Sequence, residues 1–262
     1  MIISPEVIRE SQQLVIDVFK SFRDELMESY GKIKHSSKQD GSPVTKLDVK
    51  IEQALKTKLA DAYPDFGFHG EETDDVEGTI DATWFVDPID GTRSFMHGLP
   101  DCSNMAGLVV DGVTVASVIY HFATDELYTA IRGLGAYRNG ESIHINNTVL
   151  DDSIVFAGAV AYKDVYPVLS YSGLGMYAPI GASGYEFTRL AQGNIQGVTK
   201  LRSGSMLHDD IPGVLLVQEA GGEIVSFEGR DYDYKTLEFV AATPNVAKVV
   251  REQYDAIKKV IT

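Results

Sequence analysis

The segment Trp84-Phe85-Val86-Asp87-Pro88-Ile89-Asp90-Gly91-Thr92-Arg93-Ser94-Phe95 constrains the chain more than any other. Trp84-Phe85-Val86 reads as a buried strand, which puts Asp87 at its mouth. Pro88 removes a backbone donor and biases Asp87 toward an extended conformation. Asp90, Gly91 and Thr92 suit a turn leading into a helix, with free N–H groups pointing outward. Two carboxylates beside an anion-binding helix start suit a divalent metal together with a phosphate. That combination suggests a metal-dependent phosphatase.

Charge agrees with this reading. With 23 Lys plus Arg against 38 Asp plus Glu, the net charge is −15. Such a surface repels nucleic acid and anionic membranes, so neither is an expected partner. It also repels an anionic phosphate ester unless cations gather at the site. Cys102 is the single cysteine, which rules out an internal disulfide and a thiolate metal cage. At 262 residues, one large domain or two tightly joined ones is expected. Met1-Ile2-Ile3-Ser4-Pro5-Glu6 lacks the basic start and apolar core of a signal peptide. No apolar stretch approaches the roughly 18–20 residues that span a bilayer, so the cytoplasm is the expected compartment.

Ser4-Pro5-Glu6 is a helix start, and Val15, Val18, Phe19, Phe22 and Leu26 continue it as one amphipathic helix to about Gly31. A polar loop through Ser42-Pro43 precedes a second helix from about Thr45, with Leu47, Ile51, Leu55 and Leu59 on one stripe. From Phe66 to about Ile145 the pattern turns to strands. Asn104–Val110 and Val113–Tyr120 flank Asp111-Gly112, a strong hairpin signal, and Asn139-Gly140 marks another turn. These features predict two helices on a largely antiparallel sheet across residues 1–149. Residues 150–262 read as an α/β part. Its strands are Ile154–Ala159, Glu223–Phe227 and Leu237–Val240, and its helices Tyr185–Gln192, Ile211–Ala220 and a closing one through Val246, Val250 and Ile257.

Three acidic clusters fall at junctions of these elements: Gly70-Glu71-Glu72, Asp87-Pro88-Ile89-Asp90 and His208-Asp209-Asp210. Hard cations such as Mg²⁺ prefer carboxylate, carbonyl and water oxygens. Each cluster taken alone also suits a capped helix, a solvated loop or a common turn pair. Their order and spacing, with Pro43-Val44-Thr45-Lys46-Leu47-Asp48 before them and Glu219-Ala220-Gly221-Gly222 after, resemble the inositol monophosphatase family of Mg²⁺-dependent, lithium-sensitive phosphatases. Haloacid dehalogenase-like phosphatases share an Asp…Asp-Gly-Thr pattern. There one residue separates the first two aspartates; here Pro88 and Ile89 intervene.

The resemblance implies a layered αβαβα sandwich of the inositol monophosphatase and fructose-1,6-bisphosphatase type, usually a homodimer, binding two or three Mg²⁺ ions. Carried over residue by residue, Glu71, Asp87 and the Ile89 carbonyl are ligands of a first metal. Asp90 is a bridge, and Asp209 a ligand of a second metal. Thr92, paired with Asp48, orients the attacking water together with Glu71, and the Gly91 and Thr92 amides cradle phosphate. Arg202, Ser183 and Arg93 are candidate substrate contacts, with His97, His121, His208 and Lys38 behind them. The family's Trp before the third-cluster aspartate is His208 here, and its hydroxyl-binding Glu seven residues before that aspartate is Arg202, suited to a carboxylate or a second phosphate. Arg93-Ser94-Phe95 is closer to the histidinol-phosphate phosphatase branch. A small phosphorylated polyol or metabolite is the implied substrate: inositol 1-phosphate first, then histidinol phosphate, with a sugar bisphosphate or a nucleotide 3′-phosphate behind. The alternative of another class is a regulatory binding protein of the same fold.

Overall fold

A computed structural model describes residues 3–32, 36–37, 43–147, 152–178, 182–201 and 204–261. Helix α1 (Pro5–Ser21) starts where Ser4 Oγ accepts the Val7 N–H at 3.3 Å. It is followed by α2 (Arg23–Ser29), the two-residue strands β1 (Ser36–Ser37) and β2 (Pro43–Val44), and α3 (Lys46–Ala62). The predicted single N-terminal helix is therefore two. At Phe22 the backbone N–H turns to Phe19 O at 3.2 Å, and the tightened turn redirects the chain so that Leu26 is fully buried.

Seven strands form the first sheet: β3 (Gly67–Gly70), β4 (Ala82–Asp90), β5 (Ser103–Val110), β6 (Val113–His121), β7 (Glu126–Ile131), β8 (Gly135–Arg138) and β9 (Glu141–Ile143), side by side in that order. Only β3 and β4 pair in parallel. Asp111 and Gly112, at φ 47° and 74°, close the β5–β6 hairpin as the dipeptide predicts, because both central positions of such a turn need positive φ. Between β4 and β5 lies the short helix α4 (Thr92–His97).

The second sheet holds β10 (Ile154–Ala157), β11 (Gly175–Tyr177), β12 (Gly197–Lys200), β13 (Glu223–Ser226) and β14 (Phe239–Ala242), in the order β11-β10-β12-β14-β13. Its helices are α5 (Ala159–Ser170), α6 (Ser183–Ala191), α7 (Leu207–Glu219), α8 (Pro244–Glu252) and α9 (Tyr254–Ile261). The predicted closing helix is thus also split, at Gln253. Helix α7 begins four residues earlier than predicted, which moves Asp209 from the loop into the first helical turn. Among the described residues no helix is long and apolar enough to cross a membrane.

Side-chain alternation along the strands separates the packing layers. Trp84 and Val86 of β4 point into a core with Phe19 of α1 and Ile51 and Leu55 of α3. On the opposite face Met105, Ile119 and Tyr128 meet Phe187 and Leu190 of α6 and Leu215 of α7, which in turn cover Val198 and Phe239 of the second sheet. The far side of that sheet, through Val155 and Val240, packs on Val165 of α5, Val246 of α8 and Ile257 of α9. The order is helix, sheet, helix, sheet, helix, as the αβαβα expectation requires. Helices α6 and α7 form the middle layer, and their N-termini lie at the end of the first sheet.

The middle layer depends on a close approach: a Cβ on Gly213 of α7 would sit 2.0 Å from the ring of Phe187, itself fully buried. Gly213→Ala is expected to cost about 1–3 kcal/mol through overpacking. The check is urea unfolding, where the midpoint falls with the slope unchanged.

Candidate active site

Strand β4 carries two of the acids, and a register shift brings them together. Asp87 pairs with Met105 and Asp90 with Ser103, so three steps on β4 match two on β5. In a regular strand, residues three apart face opposite sides of the sheet. The extra residue returns Asp90 to the side of Asp87. Pro88, with no N–H to donate, suits the interruption, and its carbonyl accepts Asn104 Nδ2 at 2.6 Å. The first turn of α7 adds Asp209. One carboxylate oxygen from each of Asp87, Asp90 and Asp209 lies within 4.8 Å of the others.

Helix starts hold most of these groups. Asp209 Oδ2 accepts the Met206 N–H at 2.6 Å, so the residue caps α7 and still offers its carboxylate to the cluster. Asp48, completely buried, caps α3 through the Thr45 N–H at 2.9 Å and the Thr45 hydroxyl. Its Oδ1 is buried without a hydrogen-bond partner. Asp90 accepts the Ser183 N–H at 2.9 Å on Oδ1, and the Gly184 N–H at 2.8 Å and Ser103 Oγ at 3.1 Å on Oδ2. Gly184 has to lack a side chain: a Cβ there would meet Ser103 Oγ at 2.2 Å and Asp90 Oδ2 at 3.0 Å. Asp87, 3% exposed, is the least supported, with Oδ1 buried and without a partner.

Burial and crowding push Asp87, Asp90 and Asp48 toward protonation. Asp87 rises well above the usual carboxylate range, through burial and the charges of Glu71, Asp90, Asp209 and Asp48. Asp90 is pushed up to about 7 by burial and by Asp209, with the helix amides and Lys200 pulling the other way. Asp48 is pushed up to about 6, chiefly by burial. Buried hard-oxygen donors with an orphaned acceptor atom fit a hard divalent cation, which would restore the partner Asp87 lacks.

Glu71 stands half-buried just after β3, outside the 4.8 Å group, and its charge acts on both Asp87 and Asp48. Its loop is held by a residue the sequence reading missed. Glu52 of α3, fully buried, accepts the N–H groups of Glu72 at 2.8 Å and Thr73 at 2.7 Å. It packs so tightly beneath Gly70 that a Cβ there would lie 2.1 Å from Glu52 Oε1. The signal was available: Glu52 falls one helical turn after Asp48, an acid on the buried side of α3.

Thr92 Oγ1 donates to the Ile89 carbonyl at 3.0 Å, and no Thr92–Asp48 hydrogen bond is present among the described residues. Gly91, at φ 77°, opens α4, and a Cβ there would come within 2.8 Å of the Asp101 carbonyl and 2.9 Å of Ala182 Cβ. Arg93 is exposed beside Thr92. Ser183 turns its hydroxyl to Lys200 Nζ at 2.8 Å. His121 is buried between Thr188 Oγ1 at 2.9 Å and the Cys102 carbonyl at 3.3 Å, and burial lowers its pKa to about 4, so it is a neutral packing group. His208 is buried and stacked on His69 at 6.1 Å, while His97 is exposed at the end of α4. Arg202 and Lys38 lie outside the described residues.

A layered sandwich with an acidic, metal-type centre at the meeting point of helix starts defines a phosphatase-like architecture. Its family follows from comparison with known proteins. The model of the inositol monophosphatase family matches residues 5–258, and the chain belongs to that family. It is similar to an inositol-1-monophosphatase of Rhizobium meliloti, 31% identical over 251 residues that cover 91% of this chain and 93% of the relative. A histidinol-phosphatase of Chlorobaculum parvum is 41% identical over 110 residues, 42% of each chain. The solved structure of an extragenic suppressor protein suhB from Bartonella henselae superposes with a TM-score of 0.81 at 27% identity, covering 94% of this chain and 98% of that one.

The raised acids give a pH prediction. A carboxylate whose folded pKa is raised contributes stability below its unfolded value, near 4, and loses it as pH rises through the folded value. For Asp48 and Asp90 that loss runs from about pH 4 to about 7. The metal-free protein therefore loses their contribution across this range, and Mg²⁺ restores more stability at pH 8 than at pH 6, because binding displaces protons. Thermal melts with and without Mg²⁺ check this; equal gains at the two pH values would refute it. In Asp87→Asn the metal-free midpoint rises and the Mg²⁺-dependent gain is lost.

Proposed function

We propose that the chain is a Mg²⁺-dependent phosphomonoesterase of the inositol-1-phosphate phosphatase type, hydrolysing its substrate by direct water attack. The observation that carries the reading is the β4 bulge, which sets Asp87 and Asp90 on one side of the sheet facing Asp209. Asp87, with Glu71 and the Ile89 carbonyl, would hold a first ion and Asp209 a second, with Asp90 between them. When bound, Mg²⁺ supplies charge that offsets the phosphate oxygens and makes a coordinated water more acidic.

The chain's own groups do the rest. The Gly91 and Thr92 amides at the start of α4 hold the phosphate, and close packing of Gly91 against Asp101 and Ala182 keeps that turn in place. Glu71 and Thr92 orient the water, with the partnerless Asp48 Oδ1 as the acceptor the Thr92 hydroxyl would turn to on leaving the Ile89 carbonyl. Buried surroundings strengthen each of these interactions relative to water.

Inositol 1-phosphate leads as substrate because the Rhizobium relative that matches nearly the whole chain carries that name. Histidinol phosphate follows, supported by the partial Chlorobaculum match and by the exposed Arg93 next to Thr92 in the chain. A panel of inositol 1-phosphate, histidinol phosphate, fructose 1,6-bisphosphate and adenosine 3′,5′-bisphosphate, assayed with Mg²⁺ and with chelator, tests both levels. The expected result is turnover of inositol 1-phosphate that chelator abolishes and lithium inhibits. Asp90→Asn is expected to lower kcat at least roughly tenfold. Hydrolysis without Mg²⁺ would sink the mechanism. No turnover, with a protein partner co-purifying, would favour the regulatory reading.

A further inference from the structure

Strand β12 ends on Lys200, a cation that is only 5% exposed and pairs with other acids than Asp87, Asp90 and Asp209. A buried ammonium persists only where its partners replace water. Lys200 Nζ donates to Ser183 Oγ at 2.8 Å, lies 3.4 Å from Glu186 Oε2 and 3.7 Å from Asp210 Oδ1, and sits 5.1 Å from the centroid of the Phe187 ring. The placement of these partners matters. Ser183 and Glu186 lie in the first turn of α6, and Asp210 lies in the first turn of α7. The amides of Ser183 and Gly184 hold Asp90, and Asp209 adjoins Asp210. One ammonium thus ties together the two helix starts that deliver Asp90 and Asp209.

We propose that Lys200 is a positioning residue of the metal centre, clamping the first turns of α6 and α7 so that Asp90 and Asp209 stay within reach of the same cation. The inference rests on reading the acid cluster as a metal centre. It has a sign that separates it from simple electrostatics. Removing a positive charge near a cation site tightens cation binding, whereas removing a clamp loosens it.

The experiment is titration of the whole chain with Mn²⁺, followed by calorimetry and by the electron paramagnetic resonance signal of free Mn²⁺. Lys200→Met removes the ammonium. Lys200→Met/Glu186→Gln also removes the nearer of the two carboxylates that lose the ammonium, so that a folded protein is available for measurement. Ser183→Ala removes only the accepting hydroxyl and keeps the backbone amide. The clamp predicts that Mn²⁺ binds roughly tenfold more weakly to the Lys200→Met/Glu186→Gln protein, in line with groups that orient metal ligands. It also predicts weaker binding by Ser183→Ala, and a Lys200→Met/Ser183→Ala protein no worse than Lys200→Met, because both changes break one link. Unchanged or tighter binding on loss of Lys200, or fully additive losses, would overturn the inference while leaving the metal centre intact. A wild-type protein that binds no Mn²⁺ would overturn both.

Discussion

Negative charge gathered in one buried place is the constraint around which this fold is arranged. The charges of Asp48, Asp90 and Asp209 all act on Asp87, that of Asp209 acts on Asp90 as well, and Asp48, Asp87 and Asp90 are nearly or wholly buried. Helix N-termini make the arrangement tolerable. Asp48 receives the start of α3, Asp90 the start of α6 and Asp209 the start of α7. Each start brings unsatisfied N–H groups and the positive end of a helix dipole, worth about half a charge. The sandwich delivers them together because α6 and α7 fill the layer between the sheets, with their first turns at the end of β4. Asp87 alone takes no helix start and keeps a buried oxygen without a partner. The fold thus supports three acids from the backbone and leaves the fourth without that support.

The β4 bulge does equal work at lower sequence cost. Two aspartates with two residues between them would diverge on an ideal strand, and a single extra residue makes them converge. This gives the spacer in Asp87-Pro88-Ile89-Asp90 a geometric meaning: the proline removes a ladder donor where the ladder is interrupted. A motif with one residue between its aspartates would put both on one face without any bulge, so the two spacings are different structural solutions.

Legibility in the sequence followed the range of the interactions. The Asp111-Gly112 hairpin, the Ser4 cap, the buried stripes of α1 and α3 and the order of the acid clusters are written in residues a few positions apart. Helix α5 was missed because Pro167 interrupts its pattern, and β11 and β12 because strands of three and four residues show little alternation. The breaks at Phe22 and Gln253 leave no proline or glycine as a marker. In the site, the metal-type acids were legible and their supports were not. Glu52 acts on residues 20 and 21 positions away, and Lys200 reaches Ser183 across 17. Ser183 illustrates the difference: read from sequence as a substrate contact, it accepts from Lys200 on its hydroxyl and donates its amide to Asp90.

The supports also bear on how strongly a cation would be held. A carboxylate has about four lone-pair positions, and three of those on Asp90 already face protein donors. Protein hydrogen bonds and metal coordination compete for the same electron density, so Asp90 would be a weaker ligand than a free aspartate. The same donors lower the repulsion it exerts on Asp87 and Asp209, and so let three carboxylates approach at all. A site built this way trades ligand strength for the ability to assemble acids before any cation arrives. That compromise suits Mg²⁺, which loses its water reluctantly and is usually held by only a few protein oxygens. It suits a dedicated cage much less. The α6 start that restrains Asp90 also lies beside the turn at Gly91, whose Cβ position comes within 2.9 Å of Ala182 Cβ, so the same backbone dipoles would favour the carboxylate and an incoming phosphate alike.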